Sequence, residues 1–439
     1  MFRKLVFTTM FASLISINYA YAQSESGKEN VLEVYLPYAI AITLQSNPEI
    51  KSLSRNIDLA EEDIDLSRSG YRPNVSANGE INHIQSDNDI SNKWSSDTTK
   101  TVGVALEQPL YRGGQTVAEI NQSKTLKDAT ENRFAGQIQS KVLDIVAVYI
   151  ETYRANQAIA VNNDNIELLS EQLKATDARF EAGELTKTDV VQAEARLEQA
   201  NAEKAVSVAT YEVALSSFRE ETGITDEVLL FYPDLDIAKI PLDLSSAISI
   251  ALQNNPAMIE SAALITAQGF NVDAQEGAFY PQVSLNAGAQ LQRNPAFGIF
   301  REQETANIGV SASLPIYQSG VLRNQLRQSK IRKSQAIDDL EATRLSVTDD
   351  VISAWQEHKA IQAQILARQA QIKASELAYE GVSLEEQVGA RSVLDVLDAN
   401  QDVRDAELSL IDAKRDLVNA YYRLLASIGT LDESLWDKY

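Results

Sequence analysis

Hydrophobic positions recur along this chain with two different periods, and each period marks a different kind of element. Val75, Ala77, Gly79 and Ile81 alternate with the polar Ser76, Asn78, Glu80 and Asn82. Val102, Val104 and Leu106 then alternate with Gly103, Ala105 and Glu107. The same habit returns at Val283, Leu285, Ala287, Ala289 and Leu291, and at Ile308, Val310, Ala312 and Leu314. Period two over about ten residues predicts strands with one apolar face, a length that suits a tilted membrane strand. A soluble hairpin fits the same pattern. Between these pairs the spacing changes to three and four, as at Ile138, Val142, Ile145 and Tyr149, and at Val347, Val351 and Trp355. That spacing predicts polar rods with a single buried stripe.

The rods are long. No proline interrupts 114–182 or 320–388. A helix of that length reaches about 100 Å. Pro109 and Pro315 are expected to end the strand ladders, because proline has no N–H to give. Gly183 and Gly389 are expected to break the rods, with returning helices over 189–222 and 395–428. A first helix is expected over 39–69, before the first hairpin. First and returning helices together match one rod in length, so they are expected to stack end to end along it.

The chain is written twice. Ala39-Ile40-Ala41-Ile42-Thr43-Leu44-Gln45-Ser46-Asn47-Pro48 returns as Ala247-Ile248-Ser249-Ile250-Ala251-Leu252-Gln253-Asn254-Asn255-Pro256. Tyr71-Arg72-Pro73 matches Phe279-Tyr280-Pro281, and Pro109-Leu110-Tyr111-Arg112-Gly113-Gly114 matches Pro315-Ile316-Tyr317-Gln318-Ser319-Gly320. Gly183, Asp189-Val190 and Ala193 match Gly389, Asp395-Val396 and Ala399. Order and register hold throughout. The chain is therefore divided into a targeting segment at 1–22, a first repeat at 23–223, a linker at 224–246, a second repeat at 247–429 and a tail at 430–439. Each repeat carries a hairpin (about 75–111 and 283–316) and a tip turn (about 183–188 and 389–394). The linker, with Pro233 and Pro241, is expected to form an irregular belt near mid-rod.

The targeting segment has Arg3 and Lys4 before a mostly apolar run from Leu5 to Ile17, then Ala20-Tyr21-Ala22. This is the pattern of a cleaved secretory signal, with an uncleaved anchor as the alternative. Elsewhere no apolar stretch approaches the 18 or so residues of a membrane helix.

Composition narrows the function further. The net charge of −23 disfavours nucleic acid, whose phosphates need a basic surface. Removing Arg3 and Lys4 with the signal takes that value from −23 to −25. With no cysteine there is no disulfide, thiolate metal site, cysteine nucleophile or lipid-modified cysteine. The two histidines, His83 and His358, have no ligand spacing, so no metal, cofactor or catalytic set is expected.

Four strands cannot close a barrel, for which about eight are the minimum, and an open edge cannot face lipid. If the strands cross a membrane, copies of the chain must share a barrel. Three copies are the simplest closure, giving twelve strands above a cylinder of helices. Val102, Val104, Leu106, Ile308, Val310 and Leu314 are then expected to meet lipid. A trimeric periplasmic or surface coiled coil, with the strands as a soluble collar, is the alternative.

These repeated motifs resemble those of the TolC-like outer membrane factor family over about Leu32 to Leu431. The A-x-x-x-A-L-x-x-N-P opening, Tyr71-Arg72-Pro73 and Phe279-Tyr280-Pro281 before the hairpins and Pro-Leu-Tyr-x-Gly-Gly after the first carry the resemblance. Arg179-Phe180-x-x-Gly183 with Thr188-Asp189-Val190, and Gly389-x-Arg391 with Asp395-Val396-Leu397-Asp398-Ala399, resemble the family's two periplasmic tip turns. The resemblance implies a mostly α protein with transmembrane β. It implies a homotrimer with a 12-stranded β-barrel in outer-membrane lipid, continuous with a periplasmic α-helical barrel. It also implies an exit duct of an efflux pump or type I secretion system, opened when an inner-membrane transporter and a periplasmic adaptor dock.

Asp395 and Asp398, three apart at a helix start, are expected to face one way, about 4.5 Å apart along the axis. They are candidates for a pore constriction that binds cations. Helix-end charge is the competing role. Asp189 repeats Asp395, but Gln192 stands where Asp398 does. Arg391 with Asp189 is the candidate gate link, and Gly183, Thr188 and Gly389 mark the turns. Glu386 departs from the family, whose members often carry an aromatic residue there. The chain also ends soon after Leu431, without the long tail of some members.

Overall fold

The computed structural model describes residues 31–88, 93–293 and 302–431. The targeting segment, the loop tips within 89–92 and 294–301 and the tail from 432 lie outside them. The first repeat runs β1 (Leu32–Val34), α1 (Leu36–Ser46), α2 (Pro48–Arg68), β2 (Asn74–Asn88), β3 (Lys93–Arg112), α3 (Gln115–Glu181) and α4 (Lys187–Thr222). The linker carries β4 (Val228–Leu230), and the second repeat then runs α5 (Leu244–Asn254), α6 (Pro256–Gly277), β5 (Gln282–Arg293), β6 (Glu302–Ser313), α7 (Val321–Gln387) and α8 (Val393–Ser427). The chain is mostly helical and duplicated element by element. No described helix is long and apolar enough to cross a membrane.

The first helix of each repeat is not continuous, as expected over 39–69, but broken at an Asn-Pro pair. Asn47 and Asn255 are extended, at ψ 124° and 125°. A residue before proline disfavours the helical region, and proline is suited to the first position of the next helix. Each Asn side chain caps that next helix, accepting from Glu49 N at 2.8 Å and from Ala257 N at 2.9 Å. Its amide also donates to the end of the returning helix, Asn47 to Glu221 O and Asn255 to Ser427 O. Gly429 passes so close to Asn254 that a Cβ would lie 2.6 Å from its backbone. The Asn-Pro motif is therefore the joint where first and returning helices meet. Lys141 of α3 clasps that joint from below, 2.8 Å from Glu49 and 2.6 Å from Glu221.

The joint sits on the main core. Val142, Ile145, Tyr149 and Ile150 of α3 are fully buried there with Phe218, Val351, Tyr421, Leu424 and Leu425. The linker contributes β4, which pairs in parallel with β1. The Tyr149 hydroxyl lies 2.9 Å from Val34 O and 2.8 Å from Phe231 O, and accepts from Phe231 N at 3.1 Å. One phenol thus ties both short strands to the rod. Burial raises the pKa of that phenol above its ordinary value, so it stays a donor.

The four long strands form one antiparallel sheet in the order β2-β3-β5-β6. Register aligns Ala77, Val104 and Ala289, and next to them Val75, Leu106, Ala287 and Ile308. The alternating sequences therefore assemble a single apolar face. The opposite face is a shallow hollow lined by Asn74, Ser76, Asn78, Glu107, Asn286 and Asn307. Pro109 does not end its strand. β3 continues to Arg112 across a register shift between Pro109 and Tyr111. Its pairing with β2 stops at Glu107, so proline sits where one side of β3 has no partner to supply. β6 does stop just before Pro315, at Ser313.

Above the core the helices pack in the row α2-α3-α6-α7, the same order as the strands. Below it, α4 and α8 take the places of α2 and α6 along α3 and α7.

Candidate functional site: the tips of the helical rods

The far ends of both rods are closed in the same way. Gly183 and Gly389 adopt positive φ, +80° and +75°, where a side chain would be strained. Thr186 and Ser392 then start α4 and α8 as N-caps, each reciprocated by an aspartate three residues on. Asp189 Oδ2 accepts from Thr186 N at 2.8 Å and from Thr186 Oγ1 at 2.7 Å. Asp395 Oδ2 accepts from Ser392 N at 2.9 Å and from Ser392 Oγ at 2.8 Å. These hydrogen bonds favour the ionised form and hold both carboxyls below the ordinary aspartate range. Thr188 is exposed on the first turn of α4.

The helix-end role of Asp395 is thus realised within the chain. Asp398 is engaged differently, 2.5 Å from Arg196 Nη2 on α4. Asp398 is exposed and Asp395 half-buried. Arg391 bonds to Glu385 at 2.9 Å, across its own turn, while Asp189 serves its cap. Arg391 and Asp189 are therefore not linked within one chain.

The link between the two tips is one the sequence reading did not pair. Arg179 Nη1 lies 2.6 Å from Glu386 Oε1, and Arg179 Nε lies 3.3 Å from Glu184. Glu386 is 5% exposed. Donating this hydrogen bond to Glu386 raises the Arg179 pKa further above its ordinary value. Phe180 is the repeat-mate of Glu386, and its ring faces the Lys187 ammonium at 5.6 Å. Just above, Val393 and Leu397 of α8 pack with Leu169, Ala193 and Ala200 in a small apolar cluster. A polar layer follows, with Asn400 donating to Asn165 at 2.7 Å, Asn162 to Ser207 at 2.8 Å, and Arg404 paired with Glu203.

The histidines take structural places. His83 bonds Thr98 at 2.9 Å, and His358 is buried beside Gln362 at 3.0 Å, its pKa lowered by burial. Among the described residues no three carboxylates or histidines are grouped to hold a metal ion.

A duplicated row of rods, a sheet with one apolar face and paired tip turns match known proteins over nearly the full chain. Residues 39–218 and 247–430 match the outer membrane efflux protein family, one match per repeat. The chain belongs to that family. Outer membrane efflux protein BepC of Brucella suis is 30% identical over 393 residues, 90% of this chain and 85% of that protein. Outer membrane protein TolC of Vibrio cholerae is 25% identical, covering 92% of each chain. Among solved structures, the CmeC outer membrane channel of Campylobacter jejuni superposes with a TM-score of 0.77 at 19% identity, over 91% of this chain and 87% of that one. This outer membrane efflux protein is accordingly placed in the outer membrane, with its helical rods as a large periplasmic portion.

Proposed function

We propose that three copies of the chain close into one gated duct, through which an inner-membrane transporter and a periplasmic adaptor export substrates across the outer membrane, in efflux or type I secretion. The observation that carries this reading is a pair of open edges. The sheet ends at β2 on one side and at β6 on the other, and the row of upper rods ends at α2 and α7 on the same two sides. Unpaired strand edges are not tolerated in lipid, and one chain's four strands are too few to close. Opposite, unlike edges make a heterologous contact, which closes as a ring.

The duplication says how the edges meet. β3 pairs with β5 so that Val104 faces Ala289 and Leu106 faces Ala287. Their repeat-mates are Val310 and Ala312 on β6, and Ile81 and Gly79 on β2. Val310 of one copy should therefore stand opposite Ile81 of the next. Because the chain has no cysteine of its own, Ile81→Cys with Val310→Cys tests this cleanly. Covalent trimers in outer-membrane fractions, conducting in a planar bilayer, are the expected result. A non-conducting protein that leaves the membrane fraction, with no cross-link, would favour a structural coiled coil instead.

A further inference from the structure

We infer that the seam between copies is held in register by a charge code along α7 and α2, with a second copy of this chain as its partner. The inference rests on the ring closure proposed above. Among the upper rods, the internal seam is α3 against α6. Its anchors are Arg133 with Glu260 at 2.6 Å, and Gln115 beside Gly277 where the rods meet the sheet. α7 begins 206 positions after α3, and α6 begins 208 positions after α2. Carrying the internal seam over by those offsets sets Asp339 of one copy beside Ser52 of the next, and Val321 beside Ser69. Between these anchors the two helices run antiparallel.

The outward stripe of each helix fits that register. α7 presents Arg327, Ile331 and Asp338, at spacings of four and seven. α2 presents Asp63, Leu59 and Arg55, at spacings of four. All six side chains are exposed; Ile331 is at 53% and Leu59 at 64%. None of the four charged groups has an ion-pair partner among the described residues of its own chain. Laid against each other in that register, Arg327 meets Asp63 and Ile331 meets Leu59, while Asp338 stands three residues beyond Arg55, about 4.5 Å along the axis, within reach of the long arginine side chain. On the flanks, Arg332 and Lys333 lie level with Asp58, and Arg323 lies within one turn of Asp65. A shift by one helical turn would set Ile331 beside Arg55 or Asp63 and break the Arg327–Asp63 pair. The code thus specifies register as well as partner, the use for which interfacial charge is best suited.

The test reverses each stripe. Arg327→Glu with Asp338→Arg reverses α7, and Asp63→Arg with Arg55→Glu reverses α2. Each reversed chain should lose trimer in detergent, its dissociation constant rising about tenfold or more, because like charges then face across every seam. The chain carrying both reversals should recover most of that loss, in a double-mutant cycle read by native mass spectrometry. Trimers indifferent to either reversal would overturn the charge code while leaving the ring intact. Losses that the combined chain does not recover would overturn it as well, since the stripes would then not face each other. A wild-type chain that never trimerises would remove both the code and the ring.

Discussion

Arg179 and Glu386, 207 positions apart in sequence, close a 2.6 Å ion pair between the ends of two rods. Glu386 is nearly buried, whereas the Arg179 side chain is about a third exposed. Neutralising the acid leaves the guanidinium with only Glu184, 3.3 Å away. Glu386→Gln should therefore cost roughly 1–2 kcal/mol per chain, below the range for fully buried pairs because water reaches Arg179. The cost falls on the tip alone. The rods should stay assembled, and single-channel conductance should rise as the two turns part. Arg179→Lys, which keeps charge but loses the planar fork, should give a smaller rise. Unchanged conductance in Glu386→Gln would show that the pair does not restrain the duct.

The caps make a separate prediction about acid. Asp189 and Asp395 have their pKa values lowered in the folded chain, so their contribution is complete above the unfolded aspartate value, near 3.9. It is lost as pH falls through the depressed folded values. Amide exchange at Thr186–Val190 and Ser392–Val396 should thus be flat from neutral pH to about pH 4, after correction for intrinsic rates. Protection at the tips should fall only below that. Asp189→Asn and Asp395→Asn should remove the pH dependence. A loss of protection beginning near pH 6 would point to a different group.

Much of this architecture is legible in the sequence because two periods and one duplication dominate it. The rods came out within a residue of their observed ends, since Gly183 and Gly389 are forced to positive φ. The apolar sheet face follows directly from the alternation of Val102, Val104 and Leu106. Three features are not local, and the pattern hides them. Asn47 breaks a helix whose hydrophobic spacing continues across it. Pro109 stays in its strand because its missing N–H faces a side where β2 has already ended. The β1–β4 pair is too short to show a period, and its anchor, the Tyr149 hydroxyl, is invisible until the fold brings Val34 and Phe231 together. At the tips, the sequence motifs contain Arg179 and Glu386 but do not pair them. The signal was there in the repeat comparison: Arg179 against Glu385 and Phe180 against Glu386 reverse charge and polarity between otherwise matching turns.

The sheet predicts a sided response to charge. Val310 is 65% exposed on the apolar face. Its neighbour Ser311 lies on the other face, bonded to Ser284 and Asn286. Val310→Arg should cost about 2–4 kcal/mol if the site lies near the bilayer midplane. Ser311→Arg should be far milder, because its neighbours on that face, Ser284 and Asn286, are already polar. Folding titrations into lipid vesicles compare the two directly. Equal costs would mean that the apolar face does not meet lipid.

Asp395 and Asp398 predict how cations are treated at the tip. In a ring of three copies, residues three apart on one helix face give two stacked rings of carboxylates, a recurrent cation filter. Crowding of like charges alone would push such pKa values up, but the Ser392 cap pulls Asp395 down, so that ring stays ionised. Asp398 carries a counter-charge, Arg196, at 2.5 Å. The two aspartates are therefore unequal. Asp395→Ala with Asp398→Ala should abolish most block by a trivalent cation added on the periplasmic side, and should weaken cation preference. Arg196→Ala, which strips the counter-charge and leaves both carboxylates, should deepen the block. If both aspartates served only as helix-end charges, the double variant would destabilise α8 and block would be unchanged. Reversal potentials in a salt gradient, with and without the blocker, separate these outcomes. Block that persists in the double variant, or that weakens in Arg196→Ala, would place the constriction elsewhere in the duct.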